Sequence, residues 1–112
     1  IGVTQVIAIT AVGSVDPALE VGDIIVPDQI IDYTYGRLHT FFDNEISHID
    51  FTYPYDESLR QRLIQVATQL PNATCVPNGT YGCTNGARLE TAAEVQKLFR
   101  EGCTIVGMTA MP

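Results

Sequence analysis

Apolar positions along the chain recur with two different periods, and the switches between them divide it into elements. Residues 4–13, TQVIAITAVG, form a nearly continuous apolar run closed by a glycine. That is the pattern of a strand buried on both faces. Residues 21–32, VGDIIVPDQIID, predict a second strand, entered through a Gly22-Asp23 turn. Pro27 has no N–H to give a ladder, so it predicts a bulge or an edge position midway. Residues 33–56, YTYGRLHTFFDNEISHIDFTYPYD, hold no sustained period but are rich in aromatics, His and Asp. They read as a long excursion, a kind of segment that is usually functional or mobile.

From Asp56 the period lengthens. Leu59, Leu63, Val66, Ala67 and Leu70 fall at helical spacing, and Pro71 stops the helix. GTYGCT, residues 79–84, predicts a short strand. A second helix over roughly 91–101 puts Ala92, Val95, Leu98 and Phe99 on one face, with Gly102 as its C′ residue. CTIVGMT, residues 103–109, is a last buried strand. Strands alternating with helices of about 10 to 15 residues predict an α/β fold, a mostly parallel or mixed central sheet flanked by helices.

The second helix starts with a visible cap. Thr91 followed by Glu94 fits the S/T-x-x-E capping box, in which each residue satisfies an amide of the other. Glu90, one place earlier, gets no task from this local chemistry.

Composition narrows the function. The 112 residues are 46% hydrophobic and 17% charged, which suits one globular domain. Six basic against 13 acidic residues give a net charge of −7. A nucleic-acid backbone is a poor partner for such a surface, whereas a small phosphate can still be held by backbone N–H groups and hydroxyls. No apolar run reaches the roughly 18 residues of a membrane span. Cys75, Cys83 and Cys103 have neither C-x-x-C spacing nor an even count, so they read as reduced thiols of a cytoplasmic protein, structural rather than nucleophilic or zinc-binding. The first residues carry no basic n-region, and the last follow directly on an apolar run. Residues 1-112 are therefore expected to be the middle part of a single longer domain.

In α/β sheets ligands collect outside the carboxyl ends of the strands. Three stretches qualify: ITAVGS after the first strand, CTNGARLE after GTYGC, and GMTAMP at the end. Neither a dinucleotide fingerprint nor a P-loop is present.

Taken in order, TAVGSVDPALEVGDIIVPDQIIDYT, GCTNGARLETAAE and IVGMTAMP resemble the nucleoside phosphorylase family of trimeric purine nucleoside and methylthioadenosine phosphorylases. The resemblance spans essentially the whole chain. Leu-Glu-Thr in the second motif and the His-Ile-Asp-Phe stretch are nearest the branch that takes methylthioinosine. It implies a three-layer nucleoside phosphorylase-like fold, of which this chain is a fragment. It also implies phosphorolysis: phosphate attacks the anomeric carbon of a purine nucleoside, releasing the base and a ribose 1-phosphate. No cofactor is implied, because inorganic phosphate is a co-substrate, and no metal is implied either. A homotrimer is.

By the same resemblance Thr10 and Thr109 contact phosphate, Ala11 and Met108 line the ribose, and His48 approaches the 5′ group. Leu89 packs on the purine, and Glu90 is the catalytic residue that holds the base. Leu89 replaces a frequent phenylalanine and Ala87 a frequent proline. Glutamate at position 90 accompanies 6-oxopurine substrates, whose N1–H an ionised carboxylate can accept. Adenine offers a lone pair there, an acceptor against an acceptor. The alternatives are a methylthioadenosine or general purine nucleoside phosphorylase, a nucleosidase using water, and a non-catalytic nucleoside-binding relative. Asp32 and Arg37, on one loop, are expected to pair or cap locally, and His39 is expected to be structural.

Overall fold

Pro27 cuts the expected second strand in two. The computed structural model describes residues 2–110. Its elements run β1 (Gly13–Ser14), β2 (Ile24–Ile25), β3 (Gln29–Asp32), α1 (Glu57–Ala67), β4 (Cys75–Val76), β5 (Thr80–Cys83), α2 (Ala92–Arg100) and β6 (Ile105–Gly107). β2 and β3 flank the proline and join different sheets. The larger sheet has the order β1-β6-β5-β3, and the smaller one pairs β2 with β4. β3, β5 and β6 are parallel, and β1 is antiparallel to β6. The architecture is thus α/β with a mixed sheet.

Side chains on a strand alternate between faces, and β5 uses this to serve two cores. Tyr81 and Cys83 join Ile105 on one face, with Val12, Leu19, Ile25, Ile30 and Ala110 packed over them. On the other face Leu98 of α2 packs with Val15, Cys103 and Val106. Gly82 lies between the strands and this helix. A Cβ there would stand 2.9 Å from Cys103 Sγ and 3.3 Å from Leu98 Cδ2, so the glycine sets how closely α2 approaches.

Both helices start as their sequences predict. Asp56 accepts the Leu59 N–H at 2.7 Å to cap α1, and the Thr91/Glu94 capping box of α2 is complete. Gly102 follows α2 with φ +90°, a conformation that favours glycine. α1 lies against β4 of the smaller sheet. Its Arg60 is buried, with Nη1 donating to Val26 O at 2.6 Å and Pro27 O at 2.8 Å and Nη2 to Pro77 O at 3.1 Å. One guanidinium therefore fastens the helix to the chain leaving the carboxyl ends of both strands of the small sheet.

Three expectations are corrected. Residues 4–12 contain no strand, and Val3, Val6, Ile7 and Ile9 are exposed. A run buried on both faces needs neighbours along its length, and of this segment only Gly13 and Ser14 pair with β6, itself three residues long. Val66 and Leu70 are exposed and the helix ends at Ala67. Phe99 of α2 is also more than half exposed. The strand β4, too short for any periodicity to reveal, was not expected at all.

Candidate active site

The parallel strands β3, β5 and β6 deliver their carboxyl ends to one edge of the sheet. There the ladder continues past the strands: Tyr33 N–H donates to Cys83 O at 2.9 Å and Thr84 N–H to Gly107 O at 2.8 Å. The Asn85 side chain extends it further, accepting from Tyr35 N–H at 3.2 Å and donating to Tyr35 O at 2.9 Å. The loop carrying Thr84 and Asn85 is thereby held on both sides before it turns toward α2.

Glu90 sits half-buried at the far end of that loop. The Thr84 hydroxyl donates to its Oε1 at 2.7 Å, which orients the carboxylate and leaves Oε2 for another donor. Its neighbours are fixed independently. Arg88 forks onto Glu94 at 2.8 Å through both terminal nitrogens, and Thr91 N–H donates to Glu94 Oε2 at 2.7 Å. Hydrogen bonding from Arg88 first, and from the Thr91 amide, pulls the Glu94 carboxyl down to about 2. Glu94 is thus committed to the loop as an anion, and Glu90 stands between two residues it anchors.

A cleft of about 260 Å³ opens beside Glu90, lined also by Tyr33, Tyr35, Asn85, Gly86 and Lys97. That is a little under the roughly 300 Å³ at which small-molecule pockets begin. On one wall the Tyr33 hydroxyl bonds the Glu101 carboxylate and lies 3.7 Å from Cys103 Sγ, with Lys97 Nζ 5.4 Å from its ring. Burial, and then the Glu101 bond, raise the Tyr33 phenol far above its ordinary value, so it stays protonated. A larger open groove of about 490 Å³ runs between Val15, Pro17 and the α2 side chains Val95 and Phe99, but it holds no carboxylate or hydroxyl.

The end of β6 joins the same edge. Gly86, with φ +72°, lies so close to Met108 that a Cβ would stand 2.5 Å from its Sδ. Tyr81, 2% exposed, extends under Gly107, where any side chain would collide with its hydroxyl. That oxygen accepts long bonds of 3.4 Å from Thr109 N–H and Ala110 N–H. Thr109 is exposed and Met108 half-buried. Thr10 and Ala11 arrive differently from the sequence reading. They precede β1 rather than follow a strand, yet its antiparallel pairing, Gly13 opposite Val106, brings them in from the Gly107 side. Thr10 is half-buried and Ala11 exposed.

Not every predicted residue is gathered. Leu89 is 78% exposed beside Glu90. His48 lies in residues 38–53, all exposed, and among the described residues no hydrogen bond or ion pair links it to Glu90, Thr84 or Met108. The last two residues of GMTAMP lie outside the described ones. Asp32 stays local, accepting from Thr34 N–H at 2.8 Å and facing His39 Nδ1 at 3.9 Å. Arg37 does not: it reaches carbonyls more than 40 residues away. Sequence spacing could not reveal that reach. Thr84 was findable as a strand-end hydroxyl six residues before a carboxylate. Among the described residues no three His, Cys, Asp or Glu side chains cluster as metal ligands, and no helix is long and apolar enough to cross a membrane.

Comparison with known proteins places the chain and its fold among phosphorylases. A family model described as the phosphorylase superfamily matches residues 1–112. A probable S-methyl-5′-thioinosine phosphorylase of Pseudomonas syringae pv. tomato is 48% identical, the match covering 99% of this chain and 46% of that protein. The 6-oxopurine nucleoside phosphorylase of Pyrococcus furiosus is 43% identical over 100% of this chain and 45% of its own length. The chain thus spans about half the length of the curated relatives it matches. Among solved structures, a variant of the adenosine/methylthioadenosine phosphorylase of Schistosoma mansoni superimposes with a TM-score of 0.83 at 29% identity, covering 92% of this chain and 43% of that one. The methylthioadenosine phosphorylase of the same organism in complex with tubercidin gives a TM-score of 0.81 at 28% identity, covering 90% of this chain and 43% of that one.

Proposed function

The chain belongs to the phosphorylase superfamily, and on that premise we propose that the whole protein carries out phosphorolysis of S-methyl-5′-thioinosine in purine salvage. Phosphate forms a bond to the anomeric carbon as the bond from that carbon to the purine nitrogen breaks. The products are hypoxanthine and 5-methylthioribose 1-phosphate. Residues 1-112 are then part of a single phosphorylase domain, and the remainder of the site comes from the rest of it.

The observation that carries this reading is the Thr84–Glu90 pair beside the strand-end cleft. As the bond to the anomeric carbon lengthens, negative charge gathers on the purine. Groups aimed in advance at the departing base lower that barrier without reorganising. A 6-oxopurine presents N1–H, and the second oxygen of Glu90 is free of the Thr84 bond to accept it. Thr10 and Thr109 are assigned to phosphate, Ala11 and Met108 to the ribose, His48 to the 5′-methylthio group and Leu89 to an apolar edge of the base. Phosphate is the co-substrate and no further cofactor is invoked. A cytoplasmic homotrimer completes the proposal. The exposed apolar side chains of the excursion, Leu38, Phe41, Ile46 and Ile49 among them, are the surface assigned to the neighbouring subunit.

A second reading has its own support. The similar solved structures are of methylthioadenosine phosphorylases, which makes 6-aminopurine turnover the alternative. Relatives named for methylthioinosine or 6-oxopurine nucleosides are more similar in sequence, at 43–48%, and Glu90 favours them chemically. The test is base release from methylthioinosine and methylthioadenosine by the full-length protein, with and without phosphate. Phosphate-dependent release with methylthioinosine preferred is expected. Release without phosphate means a nucleosidase, and a preference for methylthioadenosine overturns the use made of Glu90.

A further inference from the structure

Two loops meet at the strand ends, one carrying Glu90 and the other Met108, and a single side chain from a third segment touches both. Arg37 Nη2 donates to Thr84 O and Asn85 O, each at 3.3 Å, and to Met108 O at 3.1 Å. Thr84 is also the residue whose hydroxyl holds Glu90 Oε1. A connected path therefore runs from Arg37 through the Thr84 main chain and hydroxyl to the Glu90 carboxylate, and a branch runs to Met108. We propose that Arg37 is a positioning residue: it sets the separation of the two loops and so aims Glu90 at the base relative to the ribose. This rests on the phosphorolysis reading above.

The chemistry suits the task. Carbonyl oxygens at strand ends repel one another and need donors, and a guanidinium carries a permanent charge and several N–H donors in a fixed plane that satisfy them. Arg37 is half-buried, which protects these contacts from water. The segment bearing it is itself registered against the Glu90 loop by the reciprocal Tyr35–Asn85 bonds, so its reach is fixed at the root. A small displacement matters here, because a catalytic group misplaced by about 1 Å can cost roughly 100-fold in rate.

The test is a double-mutant cycle in the full-length protein, combining Arg37→Met with Glu90→Gln, together with hydrogen exchange of residues 84–90. Arg37→Met is expected to lower kcat/KM for methylthioinosine by roughly 100-fold and to erase its preference over methylthioadenosine. In the Glu90→Gln background the same change is expected to cost less than about threefold, the non-additivity of residues acting as one unit. Arg37→Lys, with three donors on one nitrogen, is expected to restore part of the preference, and it runs the same cycle if Arg37→Met does not fold. Amides of 84–90 are expected to exchange faster in the Arg37 variants. Equal losses in both Glu90 backgrounds, or unchanged exchange at 84–90, overturn the proposal. A wild-type protein inactive on both nucleosides overturns the phosphorolysis reading instead, and the exchange measurement then decides alone on Arg37.

Discussion

Replacing Glu90 by glutamine changes one atom of the carboxylate, and the Thr84 hydroxyl decides which end faces the ligand. Thr84 donates to Oε1, so a glutamine in the same pose turns its NH₂ toward the cleft. A 6-oxopurine offers N1–H at that point, and donor would meet donor. Losing the charge-assisted bond and leaving a mismatched pair costs about 3–5 kcal/mol. A flipped amide avoids this: its oxygen accepts N1–H, and its nitrogen donates to the Thr84 oxygen. The flip exchanges a charged acceptor for a neutral one and disturbs one neutral bond, about 2 kcal/mol in all. The cheaper route prevails, so kcat/KM for methylthioinosine is expected to fall by roughly 30-fold. Methylthioadenosine needs no flip, because the NH₂ then faces the bare N1. Removing the acceptor–acceptor clash is worth about 1–3 kcal/mol, so roughly a 10-fold gain is expected. The assay is initial-rate base release at saturating phosphate, with thermal melting to verify the fold. A substrate ratio that moves by less than about threefold refutes the Thr84–Glu90 geometry as the source of base preference.

Arg60→Met strands three carbonyls that the guanidinium now satisfies. A loss of about 3–5 kcal/mol is expected in urea unfolding of the full-length protein, and a loss below about 1 kcal/mol would show those carbonyls re-solvate freely. Gly107→Ala drives a methyl into the buried Tyr81 hydroxyl. That ring cannot retreat, so a destabilisation of about 1–3 kcal/mol is expected, with weaker phosphate binding as the Thr109 turn shifts; an unchanged KM for phosphate tells against Tyr81 as the support of that turn. The Glu94 carboxyl falls from 4.5 to about 2 on folding. Its contribution is therefore complete above about pH 4.5 and lost as pH drops toward 2, and Glu94→Gln is expected to flatten that part of a stability-against-pH curve. His48→Ala is expected to leave the melting temperature unchanged while eroding the preference for a 5′-methylthio over a 5′-hydroxyl substrate, and an unaltered ratio removes His48 from the site.

Local chemistry was readable wherever its partners lie within a few residues. The Asp56 cap, the Thr91/Glu94 box and the Gly102 terminus depend on a turn or less of chain, and each is present. Pro27 announced a bulge or edge position for the same reason, because a missing N–H is a property of one residue, but not that the two halves would join different sheets. Long-range placement was another matter. Residues 4–12 look like a buried strand, but burial needs neighbours, and only Gly13 and Ser14 have one. Arg37 was expected to pair or cap locally, and nothing in the spacing of Arg37 or Arg60 records the carbonyls they reach.

The sequence by itself determined the alternation of strand and helix, the two helix caps, the CTNGARLE and GMTAMP stretches that follow β5 and β6, and Glu90 as a carboxylate without local employment. Those are consequences of period, of capping chemistry and of side-chain acid–base character, all of which are written in adjacent residues. Only the tertiary structure decided what restrains Glu90. Thr84 holds its carboxylate and Arg37 its loop, and β1 runs backward along β6 so that Thr10 and Ala11 enter from the Gly107 side. Hydrogen-bond partners are chosen by distance in space, and that distance exists only once parallel β3, β5 and β6 bring their ends to one edge.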